Sequence, residues 1–105
     1  MFNQLNEFIL SFNNRITRRV TKKAIVYKKD KCNNIISIRI SNKKHIIIYT
    51  LIYIEEYDIM DKFKSLNIKS YAPLVRCTYI NNNDELVYVK KVLLQYLKKA
   101  LNIYE

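Results

Sequence analysis

IISIRISNKKHIIIYTLIYI, residues 35 to 54, reads as two β-strands joined by a short turn. In the first arm, Ile35 to Ser41, Ile36, Ile38 and Ile40 fall on one face, Ser37 and Arg39 on the other, because successive strand side chains point to opposite sides. Asn42 to Lys44 make the turn, where Asn takes the left-handed conformation that glycine usually supplies. The second arm, His45 to Ile54, is apolar on both faces. Ile46, Ile48, Ile52 and Ile54 share one side, and Ile47, Tyr49, Leu51 and Tyr53 share the other. A strand apolar on both faces belongs in the middle of its sheet. Helices or a second copy of the chain must therefore cover each side.

Upstream, Phe2, Leu5, Ile9, Phe12, Ile16 and Val20 recur at three- and four-residue spacings, which predicts an N-terminal amphipathic helix. On the same wheel Arg15, Arg18, Arg19 and Lys22 form a basic stripe beside the apolar one. AIVYKK, Ala24 to Lys29, reads as a strand and is followed by a turn at Asp30 to Asn34. Downstream, Asp58 is placed as the N-cap of a helix that buries Ile59, Phe63 and Leu66 and stops near Asn67. LVRCTYI and ELVYV, separated by NNND, read as a hairpin, and Lys90 to Tyr104 reads as the last helix. Leu86, Val89 and Leu93 also fit a helix beginning at Asp84, and both starts stay open. The expected fold is one α+β domain over residues 1–105, with helices packed on an antiparallel sheet of about five strands, in the order α-β-β-β-α-β-β-α.

The chain has 105 residues and no glycine, where about seven are usual. Ile, Lys, Asn and Tyr supply 51 of the positions, a composition that AT-rich codons favour and that inflates lysine. Part of the net charge of +10 is therefore a matter of codon usage. Its position is not. Between Asn13 and Lys44, eleven Lys or Arg face the single Asp30, while the rest of the chain holds eight bases and eight acids. Codon bias scatters lysine evenly, so this concentration is the main functional clue.

Much chemistry is excluded. Without glycine there is no phosphate loop, dinucleotide fingerprint or nucleophile elbow. One histidine allows no histidine pair for zinc, and Cys32 and Cys77 are too few and too widely separated for a site built from paired ligands. The two thiols are expected to be reduced and inert, or bridged if the fold brings them together. Glu55, Glu56, Asp58 and Asp61 read as capping and solvated groups at a helix start. One enzymatic pattern remains: Tyr96 and Lys99 share the Tyr-x-x-Lys spacing of rolling-circle nickases, with His45 on the central strand. Ile47 stands where the second metal-binding histidine would be. No catalytic residue, metal or cofactor is expected. MFNQLNEFILSF lacks the basic start of a signal peptide, and no apolar run reaches membrane-spanning length. A cytoplasmic, non-enzymatic protein is expected.

The basic residues expected to engage nucleic-acid phosphates are Arg15, Arg18, Arg19, Lys22 and Lys23, extended by Lys28, Lys29, Lys43 and Lys44. Arg39, Tyr49 and Tyr53 would add stacking if one sheet face is open. No helix-turn-helix, zinc finger or aromatic RNA-binding motif is present, so the expected contact is with the backbone and is not sequence-specific. A homodimer is expected from the doubly apolar central strand and the nine tyrosines.

In brevity, missing glycine and strands as dense in Ile, Lys and Tyr as IISIRISNKKHIIIYTLIYIEEY, the chain resembles small orphan proteins of viruses infecting hyperthermophilic archaea, particularly filamentous ones. That resemblance implies a divergent fold, frequent dimers, and roles in handling nucleic acid or acting on a host protein inside the host cell. It also makes a Cys32–Cys77 bridge less surprising. It transfers no functional residue.

Overall fold

A computed structural model describes residues 1–30, 33–41, 45–66 and 73–103. They form an α+β fold: helix α1 (Phe2–Phe12), strands β1 (Ile16–Val20), β2 (Ile25–Lys29), β3 (Asn33–Ile40) and β4 (Ile46–Thr50), a 3-10 turn (Ile52–Glu56), strands β5 (Lys64–Ser65) and β6 (Arg76–Ile80), and helix α2 (Asn83–Ala100). The sheet is antiparallel, with six strands in the order β1-β2-β3-β4-β6-β5. The 35–54 stretch supplies its middle: β3 and β4 pair from Ile36 opposite Thr50 to Ile40 opposite Ile46.

The core lies between one sheet face and the two helices. Leu5 and Ile9 of α1 and Leu86, Val89, Leu93 and Leu97 of α2 pack on Ile16, Tyr27, Ile36, Ile38, Ile46, Ile48 and Ile80. Two tyrosines fasten helix to sheet. Tyr96, fully buried, donates to the Ile35 carbonyl and accepts from the Leu51 N–H at 2.9 Å. Tyr27 donates to Asn6 Oδ1 at 2.7 Å, and burial pushes its phenol up to about 12. The remaining buried polar side chains are paired too: among the described residues no buried side-chain nitrogen or oxygen lacks a hydrogen bond.

Four local expectations change. The N-terminal helix stops at Phe12, and the segment expected to continue it is strand β1. Ile16, Thr17 and Val20 are β-branched and favour a strand. Ile16, Arg18 and Val20 also satisfy period two as well as period four. The second arm bends early, with its strand ending at Thr50 and Ile52–Glu56 coiling into the 3-10 turn. Asp58 does cap, but it caps a loop: its carboxylate accepts from the Lys62 and Phe63 N–H groups, and among the described residues up to Leu66 no helix follows. ELVYV opens α2 and is not a hairpin arm, so of the two starts left open the earlier one holds. Asn82 accepts from the Glu85 N–H at 2.9 Å while Glu85 reaches back to the Asn81 N–H at 3.0 Å. This reciprocal cap, together with Asp84 and Glu85 in the first turn, outweighs the β-branched content.

Among the described residues three left-handed positions need a residue tolerant of positive φ, and without glycine they fall to Asp30, Asp61 and Asn102. Asn102 closes α2: its N–H bonds the Lys99 carbonyl and the Ile103 N–H bonds that of Lys98, the paired pattern of a Schellman cap. Among the described residues no helix is long and apolar enough to cross a membrane.

Candidate nucleic-acid interface

Strand register sorts the basic residues between two faces. Arg19 of β1 lies opposite Val26 of β2, Val26 opposite Ser37 of β3, Ser37 opposite Tyr49 of β4, and Tyr49 opposite Cys77 of β6. Paired residues share a face, so this row runs across five strands on the side turned away from the helices. Val26 and Tyr49 are buried, yet they stand outside the cluster of core residues that the helices cover. Leu74, reached through Pro73, is buried on the same side.

Above this row lies an open groove of about 430 Å³. Four cations line it: Arg19 from β1, Lys22 and Lys23 from the β1–β2 turn, and Arg39 from β3. The turn holds the two lysines out because Thr21 closes it twice over. Its backbone N–H donates to the Ala24 carbonyl at 2.8 Å, and its hydroxyl accepts from the Ala24 N–H at 3.0 Å. Arg39 lies diagonal to Tyr49 across the β3–β4 ladder, and its guanidinium carbon sits over the Tyr49 ring, 5.9 Å from the centroid. That distance is within cation–π range. Among the described residues no carboxylate lines the groove. Cys77 continues the row; its thiol is half-buried and is pushed up by that burial.

The other basic candidates go elsewhere. Arg15 makes a two-pronged bond to Asp30, at 2.8 and 2.6 Å, and donates a third hydrogen bond to the Leu101 carbonyl at 2.7 Å. The Asp30 bond raises the Arg15 guanidinium above its ordinary value and holds the Asp30 carboxyl below the usual range. Lys29 donates to the Ala100 carbonyl at 2.8 Å, so both side chains satisfy orphan carbonyls at the end of α2. Arg18 leans the same way and donates to Asn6 Oδ1 at 3.1 Å. Lys28, paired with Thr17, shares the groove face without lining the groove. Lys43 and Lys44 lie outside the described residues, as does Cys32 and with it any Cys32–Cys77 bridge.

Helix α1 carries no basic residue, so the expected stripe of arginines on a helix is not formed. Tyr53 sits in the 3-10 turn and stacks on Tyr96 with ring centroids 4.9 Å apart, on the helix side and away from the groove. The tyrosine of the nickase pattern lies inside the protein. Tyr96 is fully buried, both sides of its hydroxyl are engaged, and burial holds its phenol well above the ordinary value. Lys99 is paired with Glu56 at 2.5 Å.

Reading the residues alone missed Val26, Ser37 and Leu74 as the floor of the groove and the Thr21 turn as its rim. A period-two reading of Ile16 to Val20 would have put Arg19 on the opposite face from Ile16 and Arg18. Comparison with protein-family models, curated proteins and solved structures finds no match to this chain.

Proposed function

We propose that the protein binds nucleic acid through its phosphate backbone, without sequence preference, in the groove on the helix-free sheet face. One observation carries the reading: four cations from three separate elements converge on one concavity that no described carboxylate lines. Side chains that had only to be solvated would have no reason to converge. Held there, Arg19, Lys22, Lys23 and Arg39 set a positive potential that attracts phosphate and releases counterions when it binds. Lys28 extends the field along the same face. The reading places the protein in the cytoplasm, or in the host cell interior if it is viral. It also includes a homodimer, in which a second copy would cover the exposed Tyr79 and the half-buried Ile47 that stand opposite each other on this face.

The test is fluorescence anisotropy with short labelled strands, titrated from roughly 50 to 200 mM salt, the range in which several phosphate contacts become visible. Affinity should fall log-linearly with salt, and the slope should flatten by about 0.7 for each single-strand contact removed in Arg19→Ala, Lys22→Ala and Lys23→Ala. Absence of binding at the lowest salt ends the reading.

A second reading, docking of a host protein, is favoured by a different surface. A cleft of about 410 Å³ between β6 and α2 is lined by Met60, Lys62, Asp84, Glu85, Tyr88 and Val89. Its two acids outnumber Lys62 and, with its apolar side chains, suit a basic, partly apolar segment. Binding of such a peptide by a protein that leaves bare nucleic acid alone would favour this reading over the first.

A further inference from the structure

The groove is not uniform. Its cations crowd toward the β1 edge, with Arg19 on the edge strand and Lys22 and Lys23 on the turn that follows it. Toward the sheet centre the lining passes Val26 and Ser37 to the planar ring of Tyr49 beneath Arg39, with Leu74 alongside. Three strand steps separate Arg19 from Tyr49, about 14 Å at the usual interstrand spacing. A ligand that is charged along one side and flat and apolar along the other matches this gradient. A duplex offers phosphates, sugars and base edges on its outside and keeps its base faces stacked within. A single strand offers both.

We infer that the groove takes single-stranded nucleic acid, with one base stacked on the Arg39–Tyr49 pair while the neighbouring phosphates lie against Arg19, Lys22 and Lys23. The inference rests on the phosphate reading above and adds the form of the ligand to it. Arg39 is the platform and Tyr49 its support. Tyr49 is only 8% exposed, too little to receive a base directly. Arg39 is half-buried, its guanidinium carbon lies over the ring, and its side chain lines the groove. Arginine planes stack on nucleobases as they do on aromatic rings. A Tyr–Arg–base sandwich therefore places the cation between two π-faces. Lysine keeps the charge at this position but has no plane to stack.

The experiment compares three probes by anisotropy at one salt concentration: a short oligothymidylate, an abasic strand of the same length and charge, and a duplex. The oligothymidylate should bind the wild-type protein roughly five-fold or more tightly than the abasic strand, the effect of one stacked base. Arg39→Lys should lose that preference and bind the oligothymidylate and the abasic strand alike. A 2-aminopurine flanked by abasic sites gives an independent readout on the wild-type protein and should be quenched on binding. Equal affinity for the abasic strand and oligothymidylate, tightest binding of the duplex, unquenched 2-aminopurine, or an unchanged base preference in Arg39→Lys each overturns the inference. Salt-dependent binding that persists without base preference overturns this inference alone. Loss of all binding at low salt removes the phosphate reading as well.

Discussion

The two faces of the sheet are built from the same strands and treat charge in opposite ways. On the helix side, Arg15, Arg18 and Lys29 are spent on the fold: they bond Asp30, Asn6 and the last carbonyls of α2. On the other side, Arg19, Lys22, Lys23 and Arg39 converge on a groove. Residues adjacent in sequence, Arg18 and Arg19, fall on opposite sides of this division. Charge counted along a chain is therefore not charge available to a ligand. Pleating divides it before any ligand arrives.

With charge divided in this way, changes on the helix side should act on stability and changes on the groove side on affinity. Leu93→Ala is the strongest test of the first half. Leu93 is fully buried between helix and sheet, so truncation should lower the unfolding free energy by about 2–5 kcal/mol in chemical denaturation. The affinity of the folded fraction for nucleic acid should not change. Tyr96→Phe comes next. It strips the hydroxyl that serves the Ile35 carbonyl and the Leu51 N–H, leaving buried groups unpaired at a cost of about 1–3 kcal/mol. It also tests nickase chemistry, because any strand-cleaving activity that survived in this variant could not depend on a Tyr96 nucleophile.

On the groove side, Lys22→Ala and Lys23→Ala should each leave stability within about 0.5 kcal/mol of wild type, as exposed substitutions usually do. Both should weaken nucleic-acid binding. A marked loss of stability in either one would break the comparison, since it would show the groove cations to be structural as well.

The sheet was the most legible part of the chain. The alternation of Ile36, Ile38 and Ile40 with Ser37 and Arg39 is a period-two signal with no helical alternative. The Asn82–Glu85 cap was written just as plainly, but the β-branched run after it argued for a strand. The start of β1 was ambiguous for a physical reason: Ile16 and Val20, four apart, satisfy a helix and a strand equally. Only pairing with β2 along its full length decides between them. The groove was least legible, because it depends on register. That Arg19, Val26, Ser37 and Tyr49 share one row follows from three hairpin alignments, including a slip between Tyr27 and Lys28 that no local pattern announces. Arg39 and Tyr49 were identifiable as a pair on the open face, whereas Tyr53 was lost with the bend into the 3-10 turn.

The smallest expected effect is also the finest probe of the division, because it touches a cation without touching the groove. The Asp30 carboxyl is held below its usual range, first by its hydrogen bond from Arg15. A carboxyl whose folded-state value is depressed adds stability that is complete above its unfolded value, about 3.9, and is lost as the pH falls through the lower folded value. Wild type and Asp30→Asn should therefore differ most near neutral pH and converge below roughly pH 4. The pair is solvent-exposed, so the difference should be small and should shrink further in high salt. Nucleic-acid affinity in Asp30→Asn should stay at the wild-type value, because releasing Arg15 from its carboxylate leaves it on the helix side, at the Leu101 carbonyl. A gain in affinity on removing Asp30 would mean that Arg15 reaches the ligand after all, and that the sheet does not separate the two sets of charges.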